Sequence, residues 1–356
     1  MSTRMGSEPT KMRAAVLREV RTKLKIERLP IPEPAPGEIL IKVAACGVCH
    51  SDLHAIDGDW NPGPVLPLIP GHEVTGHVAG LGAGVPSVGI GGFRRGDVVG
   101  VPWMWSACGH CEACLAGMET ICRSGQATGY SKAGGYAEYM VARADFVARL
   151  PKSTDLVRMA PILCAGVTTY RGLKRTNTRP GQWVAVVGIG GLGHIAVQYA
   201  VAMGMRVAAV DIDPKKLALA KKLGAEFLVD ARKENPVSAI RKGIGGVHGA
   251  VVAAVATQAF EQSIGMLRPG GSVVFLGLPG GKADELRASI AQISGRELSV
   301  RGSSVGTRLD LQEAVAFALR GEVTAKIETA PLSAANAVLN RMRRGKIVGR
   351  VVLTIG

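Results

Sequence analysis

Residues 183–205 contain no Asp, Glu, Lys or Arg, and the pattern of this uncharged run changes partway along it. It opens as an apolar strand, Trp183-Val-Ala-Val-Val187, and passes through Gly188-Ile189-Gly190-Gly191-Leu192-Gly193, a G-x-G-x-x-G turn. From His194 onward the apolar side chains take helical spacing. A run this long reaches across a bilayer. The glycines crowded into its first half, with His194 and Gln198 after them, instead fit a strand, a turn and a buried helix. A second apolar run, residues 206–210, ends at Asp211, 18 residues after the last glycine of the turn. A lone glycine pattern is weak evidence, but strand, turn, helix, strand and acid in this order make a dinucleotide signal.

The physical reason is access to the backbone. Glycines let the main chain approach a pyrophosphate, and the helix N-terminus meets it with unpaired N–H groups. Gly188, Ile189, Gly190, Gly191, Leu192 and Gly193 are therefore the expected coenzyme contacts, and Asp211 can accept both hydroxyls of the adenosine ribose. A carboxylate there repels a 2′-phosphate, which favours NAD over NADP, while Lys215, Lys216 and Arg206 nearby leave room for the opposite. Strand and helix patterns recur through residues 226–229, 249–255 and 272–278, and predict a doubly wound parallel sheet.

A second constraint comes from the cysteines. Cys46-Gly-Val-Cys49-His50-Ser51-Asp52-Leu53-His54 packs thiols, a hydroxyl, a carboxylate and two imidazoles into nine residues, and Gly71-His72-Glu73 follows after a Pro-rich loop. This reads as a zinc site built for chemistry, with Cys49 and His72 as ligand candidates. Cys108, Cys111, Cys114 and Cys122 form C-x2-C-x2-C-x7-C in a polar, Gly-rich loop. Four thiolates satisfy tetrahedral zinc and leave no open position, so this is a structural site, and such a metal contributes about 10 kcal/mol of folding energy. An iron–sulfur cluster is the rival; in that run the fourth Cys follows three residues and precedes Pro, whereas here seven residues intervene and Arg123 follows.

The 356 residues, 47% hydrophobic and 20% charged, suffice for a large core in two domains. A mostly-β lobe is expected over residues 1 to about 150, with strands at 13–20, 24–29, 38–44, 74–79 and 97–101 and helical spacing from 155 through 163. The formal charge of +15 is spread along the chain in short pairs, as on a solvated surface, and predicts no nucleic-acid stripe. Residues 1–13 are polar with no signal-like apolar stretch, and seven cysteines suit a reducing compartment. The expectation is a cytoplasmic protein with no membrane partner.

With these pieces in hand, the chain resembles the zinc-dependent medium-chain alcohol dehydrogenases, closest to the tetrameric yeast and bacterial type. The matching stretches run nearly end to end: residues 46–60, Gly71-His-Glu73, the four-Cys loop, Gly134-Gly-Tyr-Ala-Glu138, residues 160–170, the glycine turn, and Gly345-Lys-Ile-Val-Gly-Arg350. The resemblance implies a GroES-like catalytic domain, residues 1–165 and 303–356, and a Rossmann coenzyme domain, residues 166–302. It implies an NAD-linked enzyme interconverting a primary or secondary alcohol with an aldehyde or ketone. The two ligand sets predict two zinc ions per chain, one catalytic and one structural, and the resemblance implies a homotetramer pairing sheet edges near residues 298–305.

By the same resemblance Cys49, His72 and Cys164 hold the catalytic zinc, a ligand set known for alcohol dehydrogenases, with Glu73 close behind it. Nothing local marks Cys164, and Cys46 reads as an ordinary buried thiol. The proton leaves through a hydroxyl matched by Ser51, then the coenzyme ribose, to an imidazole matched by His54. Asp52 matches the acid that orients the ligating histidine. His50 and Arg350 match phosphate contacts, Thr168 and Leu192 lie beside the nicotinamide, and Lys216 meets the adenosine ribose. Trp60 and Trp103 match the walls of the alcohol pocket. Two departures stand out: the Gly-rich stretch 80–97 is longer than the resemblance leads one to expect, and Ser51 replaces the more frequent Thr. The competing expectation is an NADP-linked aldehyde reductase of the cinnamyl-alcohol type, against which Asp211 speaks.

Overall fold

A computed structural model describes residues 10–87, 91–279 and 285–355. Residues 1–9, and 88–90 within the Gly-rich stretch, lie outside that set. Period-two burial makes the first sheet: along Glu38–Val48 the side chains of Ile39, Ile41, Val43 and Ala45 point into the core. The strand order is Ile327–Pro331, Arg350–Thr354, Glu38–Val48, Val74–Leu81, Val98–Val101 and Ala148–Leu150, with Tyr139–Arg143 also paired to Glu38–Val48. The C-terminal strand therefore lies beside an N-terminal one, antiparallel, with Val351 opposite Val48 and Leu353 opposite Cys46.

The second sheet has six parallel strands in the order Phe227–Asp230, Arg206–Asp211, Trp183–Val187, Val247–Val252, Leu267–Phe275 and Ser299–Gly302. Trp183–Val187 is buried throughout because both faces are covered. Val184 and Val186 pack into one apolar cluster with Ile195 and Tyr199; Trp183, Ala185 and Val187 pack into another with Ile240 and Phe260. The strand order reverses beside Trp183–Val187, and in open sheets of this kind the crevice at that reversal takes the ligand. Residues 183–205 form the expected strand, turn and buried helix, and no helix among the described residues is long and apolar enough to cross a membrane.

Local expectations needed adjustment where tertiary contacts took over. The strand expected over 13–20 spans Lys11–Val16, because Leu17 bridges to Leu68 and Arg21 turns through a positive φ of 63°. The strand expected to stop at residue 44 continues to Val48, held by the C-terminal strand. The helical spacing from 155 resolves into Leu156–Met159, capped by Asp155, a 3-10 turn Ala160–Leu163, and Ala165–Arg175. Cys164 sits at the break between the last two, with φ −130° and ψ −69°.

Candidate active site

Cys49 directly follows the long strand Glu38–Val48 and caps the helix His50–Asp57, so strand and helix both fix its Cβ. Asp52, 1% exposed, holds the region together. Its Oδ2 accepts the Cys49 amide at 2.9 Å and the Tyr136 hydroxyl at 2.9 Å, and its Oδ1 accepts the Gly71 amide at 3.2 Å and faces His72 Nδ1 at 3.3 Å. One buried carboxylate thus ties Cys49 to the segment carrying His72. Gly71 must be glycine here: its φ is +98°, and a Cβ would fall 2.4 Å from Tyr136.

The donor atoms of Cys49, His72, Glu73 and Cys164 lie within 4.8 Å of one another, all buried. The two sulfurs are 4.0 Å apart, close to the spacing of about 3.8 Å that tetrahedral zinc with 2.3 Å bonds to sulfur requires. His72 Nε2 is buried without a hydrogen-bond partner, which for a polar atom in this position is costly unless a cation faces it. The Cys49 thiol is pulled well below its ordinary range, first by the hydrogen bond from Cys164 and then, against the cost of burial, by His72. A thiolate, an orphaned imidazole nitrogen and a second sulfur form a donor set that fits zinc. Glu73 differs from the other three. Burial pushes its carboxyl up to about 8 against the pull of Arg350, with which it forms a buried ion pair. Cys46, buried and three residues before Cys49, stays outside the group.

Ser51 Oγ lies 3.7 Å from Cys49 Sγ, at the edge of the cluster. Trp103 meets His72 edge-on with 4.8 Å between centroids, and Trp60 stands at right angles to Trp103 at 6.0 Å. Tyr130 completes an aromatic group, 5.5 Å from Trp60 and 5.9 Å from Trp103, with its hydroxyl donating to the Pro62 carbonyl. Tyr130 was not anticipated; it arrives from a separate loop, and no local pattern marks it.

The glycine turn lies next to this cluster. Gly188 has φ +90°, and a Cβ there would fall 2.7 Å from the Ala254 nitrogen; one at Gly193 would fall 1.9 Å from the Gly188 oxygen. Gly190 instead faces open space, as a backbone that receives a ligand must. Asp211 is buried, and each carboxylate oxygen already accepts one backbone hydrogen, from Ile189 at 2.6 Å and from Asp213 at 2.9 Å, leaving further lone pairs. Leu192 caps the helix Gly193–Ala202, and Lys216 is half-buried on Pro214–Lys222. Thr168 is buried one turn after Cys164, and His50 is exposed at the start of its helix. Arg350 joins the two halves. Its guanidinium is paired with Glu73, and a Cβ on Gly191 would lie 3.1 Å from its Nη1.

The four-Cys loop forms a second group. Cys108 and Cys114, and Cys111 and Cys122, each bring their sulfurs to 3.9 Å. Amide hydrogens point at two of them, from Cys111 to Cys108 Sγ at 3.3 Å and from Cys108 to Cys122 Sγ at 3.4 Å. Hydrogen bonds from the His110 and Cys111 amides hold the Cys108 thiol down to about 6. The two short helical turns of this loop, Glu112–Leu115 and Glu119–Ile121, bury no residue of their own. An apolar core therefore cannot be what holds the loop in shape, and the converging sulfurs fit a tetrahedral ion.

Residues 35–152 match the family model described as an alcohol dehydrogenase GroES-like domain, and residues 191–320 the one described as a zinc-binding dehydrogenase. An alcohol dehydrogenase of Moraxella sp. is 52% identical over 342 residues, covering 96% of this chain and 99% of the relative. The crystal structure of the alcohol dehydrogenase from Aeropyrum pernix superposes with a TM-score of 0.87 at 36% identity, over 96% of this chain and 99% of that one. A cinnamyl alcohol dehydrogenase from Sorghum bicolor gives a TM-score of 0.86 at 30% identity, over 97% and 98% of the two chains. Identity is thus higher toward these two alcohol dehydrogenases than toward this cinnamyl alcohol dehydrogenase.

Proposed function

The chain belongs to the zinc-dependent medium-chain alcohol dehydrogenases, and on that premise we propose that it is an NAD-linked enzyme interconverting small primary or secondary alcohols with their aldehydes or ketones. The observation that carries this reading is the adjacency of the Cys49, His72 and Cys164 donors to the glycine turn, bridged by Arg350. Cys49, His72 and Cys164 hold the catalytic zinc; Cys108, Cys111, Cys114 and Cys122 hold a structural zinc, two ions per chain. A zinc ion held at the first of these sites would supply a Lewis acid for the alcohol hydroxyl, and a bound nicotinamide coenzyme would supply the hydride acceptor.

The remaining work falls to side chains. Ser51 takes up the hydroxyl proton beside Cys49, and His54 delivers it to solvent. Trp60 and Trp103 wall the alcohol site against water and bulk. Glu73 keeps Arg350 in place behind the metal ligands. Gly188 to Gly193, with Asp211 and Lys216, hold the adenosine half of the coenzyme; His50 and Arg350 meet its phosphates, and Thr168 and Leu192 flank the nicotinamide. Asp211 supports NAD over NADP because its carboxylate is fixed and buried next to the turn. Residues 1–165 with 303–356 make the catalytic domain and residues 166–302 the coenzyme domain. The edge strand Ser299–Gly302, with Val300 exposed, supports assembly into a homotetramer. Metal-binding thiolates support a reducing, cytoplasmic setting.

The test is a screen of alcohols and aldehydes with NAD and with NADP, following reduced nicotinamide, on protein whose zinc content has been measured. NAD-linked turnover of short alcohols with two zinc ions per chain is expected. A preference for NADP with aryl aldehydes would replace this reading by the reductase one.

A further inference from the structure

The residue matched to the end of the proton route is not free in the fold. The helix His50–Asp57 closes at Gly58, whose φ of 67° is left-handed, and the amide hydrogens of Gly58 and Asp59 both return to the His54 carbonyl, the second at 3.0 Å. This tight cap carries the Asp59 side chain back along the helix, and its Oδ2 lies 2.8 Å from His54 Nδ1. The next residue, Trp60, stacks on the imidazole with 5.0 Å between centroids and 28° between planes. One nitrogen and one face of His54 are therefore occupied, and Nε2 is the nitrogen left for exchange.

We propose that Asp59 is a positioning residue for proton transfer: it holds His54 as the tautomer with hydrogen on Nδ1, so that Nε2 accepts the proton, and it stabilises the imidazolium that results. The proposal rests on the reading that His54 carries the proton outward. The proton lost by the alcohol ends on Nε2 and leaves from Nε2 to water; Asp59 keeps its charge throughout. One other titratable group faces His54: His50, one turn before it on the same helix, whose imidazole is held down by desolvation and in part by the charge of His54. The remaining charged groups around this helix are engaged elsewhere: Arg343 of Ala335–Arg343 pairs with Asp57, Arg21 donates to the Asp57 carbonyl, and Asp52 is committed to Cys49, Gly71 and Tyr136. Among the described residues, the carboxylate bonded to His54 is that of Asp59.

The test compares Asp59→Asn, Asp59→Glu and His54→Gln with the parent enzyme. Asp59 is 42% exposed, so its substitution leaves the core intact, which a melting curve verifies. Two readouts are taken: the pH profile of kcat/KM for alcohol oxidation, and the NMR titration of the His54 ring in the zinc-loaded protein without coenzyme. For Asp59→Asn we expect the His54 midpoint and the acid limb of the profile to move down by about 0.5 to 1 pH unit. A fall in kcat of roughly 5- to 20-fold with KM unchanged, and partial recovery in Asp59→Glu, should accompany this. A His54 titration and a profile identical to the parent enzyme in Asp59→Asn would overturn the proposal. An unaltered profile in His54→Gln would instead overturn the proton route itself, and the NMR midpoint in Asp59→Asn would still decide whether Asp59 governs the imidazole.

Discussion

His194, on the helix that follows the glycine turn, accepts the backbone hydrogen of Lys326 on Nε2 at 3.0 Å, while its Nδ1 lies 2.8 Å from the Gly190 carbonyl oxygen. Both contacts hold together only if the imidazole is neutral with hydrogen on Nδ1. One turn further on, Gln198 donates to the Thr324 carbonyl at 2.9 Å and accepts the Thr324 amide at 3.0 Å. The glycine turn is thereby lashed to the segment that enters Ile327–Pro331, a strand of the other sheet. The position of the glycine turn is thus set by contacts between elements of the two sheets.

This contact predicts an acid weakness. Burial, more than any neighbouring charge, pushes His194 down to about 4. An unfolded chain takes up that proton near pH 6.5 and the folded one resists it until about 4, so stability falls as pH drops through this window, by roughly 3 kcal/mol in total. In urea unfolding, His194→Gln should lose about 1 kcal/mol at pH 7 and show a flatter decline toward pH 4.5 than the parent. Parallel declines would mean that His194 is not the group responsible.

Replacing Cys49 by Ser removes a thiolate and leaves the backbone contacts to Asp52 in place. Zinc content should fall from two ions per chain to one and turnover by about 1,000-fold or more, with an unchanged circular dichroism spectrum. Metal analysis and a saturated rate assay check this together.

Cys111→Ser should act in the opposite manner. The loop buries no residue in its helical turns, so losing one of the four thiols that would hold an ion should unravel it and lower the melting temperature by several degrees or more. A variant that keeps its structural zinc and its melting temperature would show that the lobe is held by something else.

Trp103 meets His72 edge-on and has no bond to His54, which makes it the cleaner probe of the pocket wall than Trp60. Trp103→Ala should raise kcat/KM for longer or branched alcohols relative to ethanol by about 10-fold or more, as the space of an indole is vacated. Relative rates across a series of chain lengths measure it.

Asp211→Asn keeps an oxygen that can accept the Ile189 amide, so the turn should survive while the negative charge goes. The ratio of kcat/KM for NAD over NADP should fall by about 10-fold or more. An unchanged ratio would place coenzyme choice elsewhere, with Lys215 and Lys216 the first to examine.

Much of the site was legible because its parts are local. The glycine turn, Asp211, the Cys49 to His54 run and the four-Cys spacing each encode a shape within a few residues of chain, and each took that shape. Helix and strand ends were less legible. Val48 extends its strand because a partner from the C-terminus pairs with it, and Leu17 ends its own because Leu68 captures it.

By itself, the order of residues determined which groups could bind metal and coenzyme, because ligand spacing, glycine turns and helix caps act over a single turn or loop. Only the tertiary structure decided which of them meet. Cys164 comes to Cys49 across 115 residues of chain, Arg350 to Glu73 across 277 and Lys326 to His194 across 132, while Cys46, three residues from Cys49, is left out. Such meetings depend on strand order and on how two sheets are lashed together, and no local pattern carries that information.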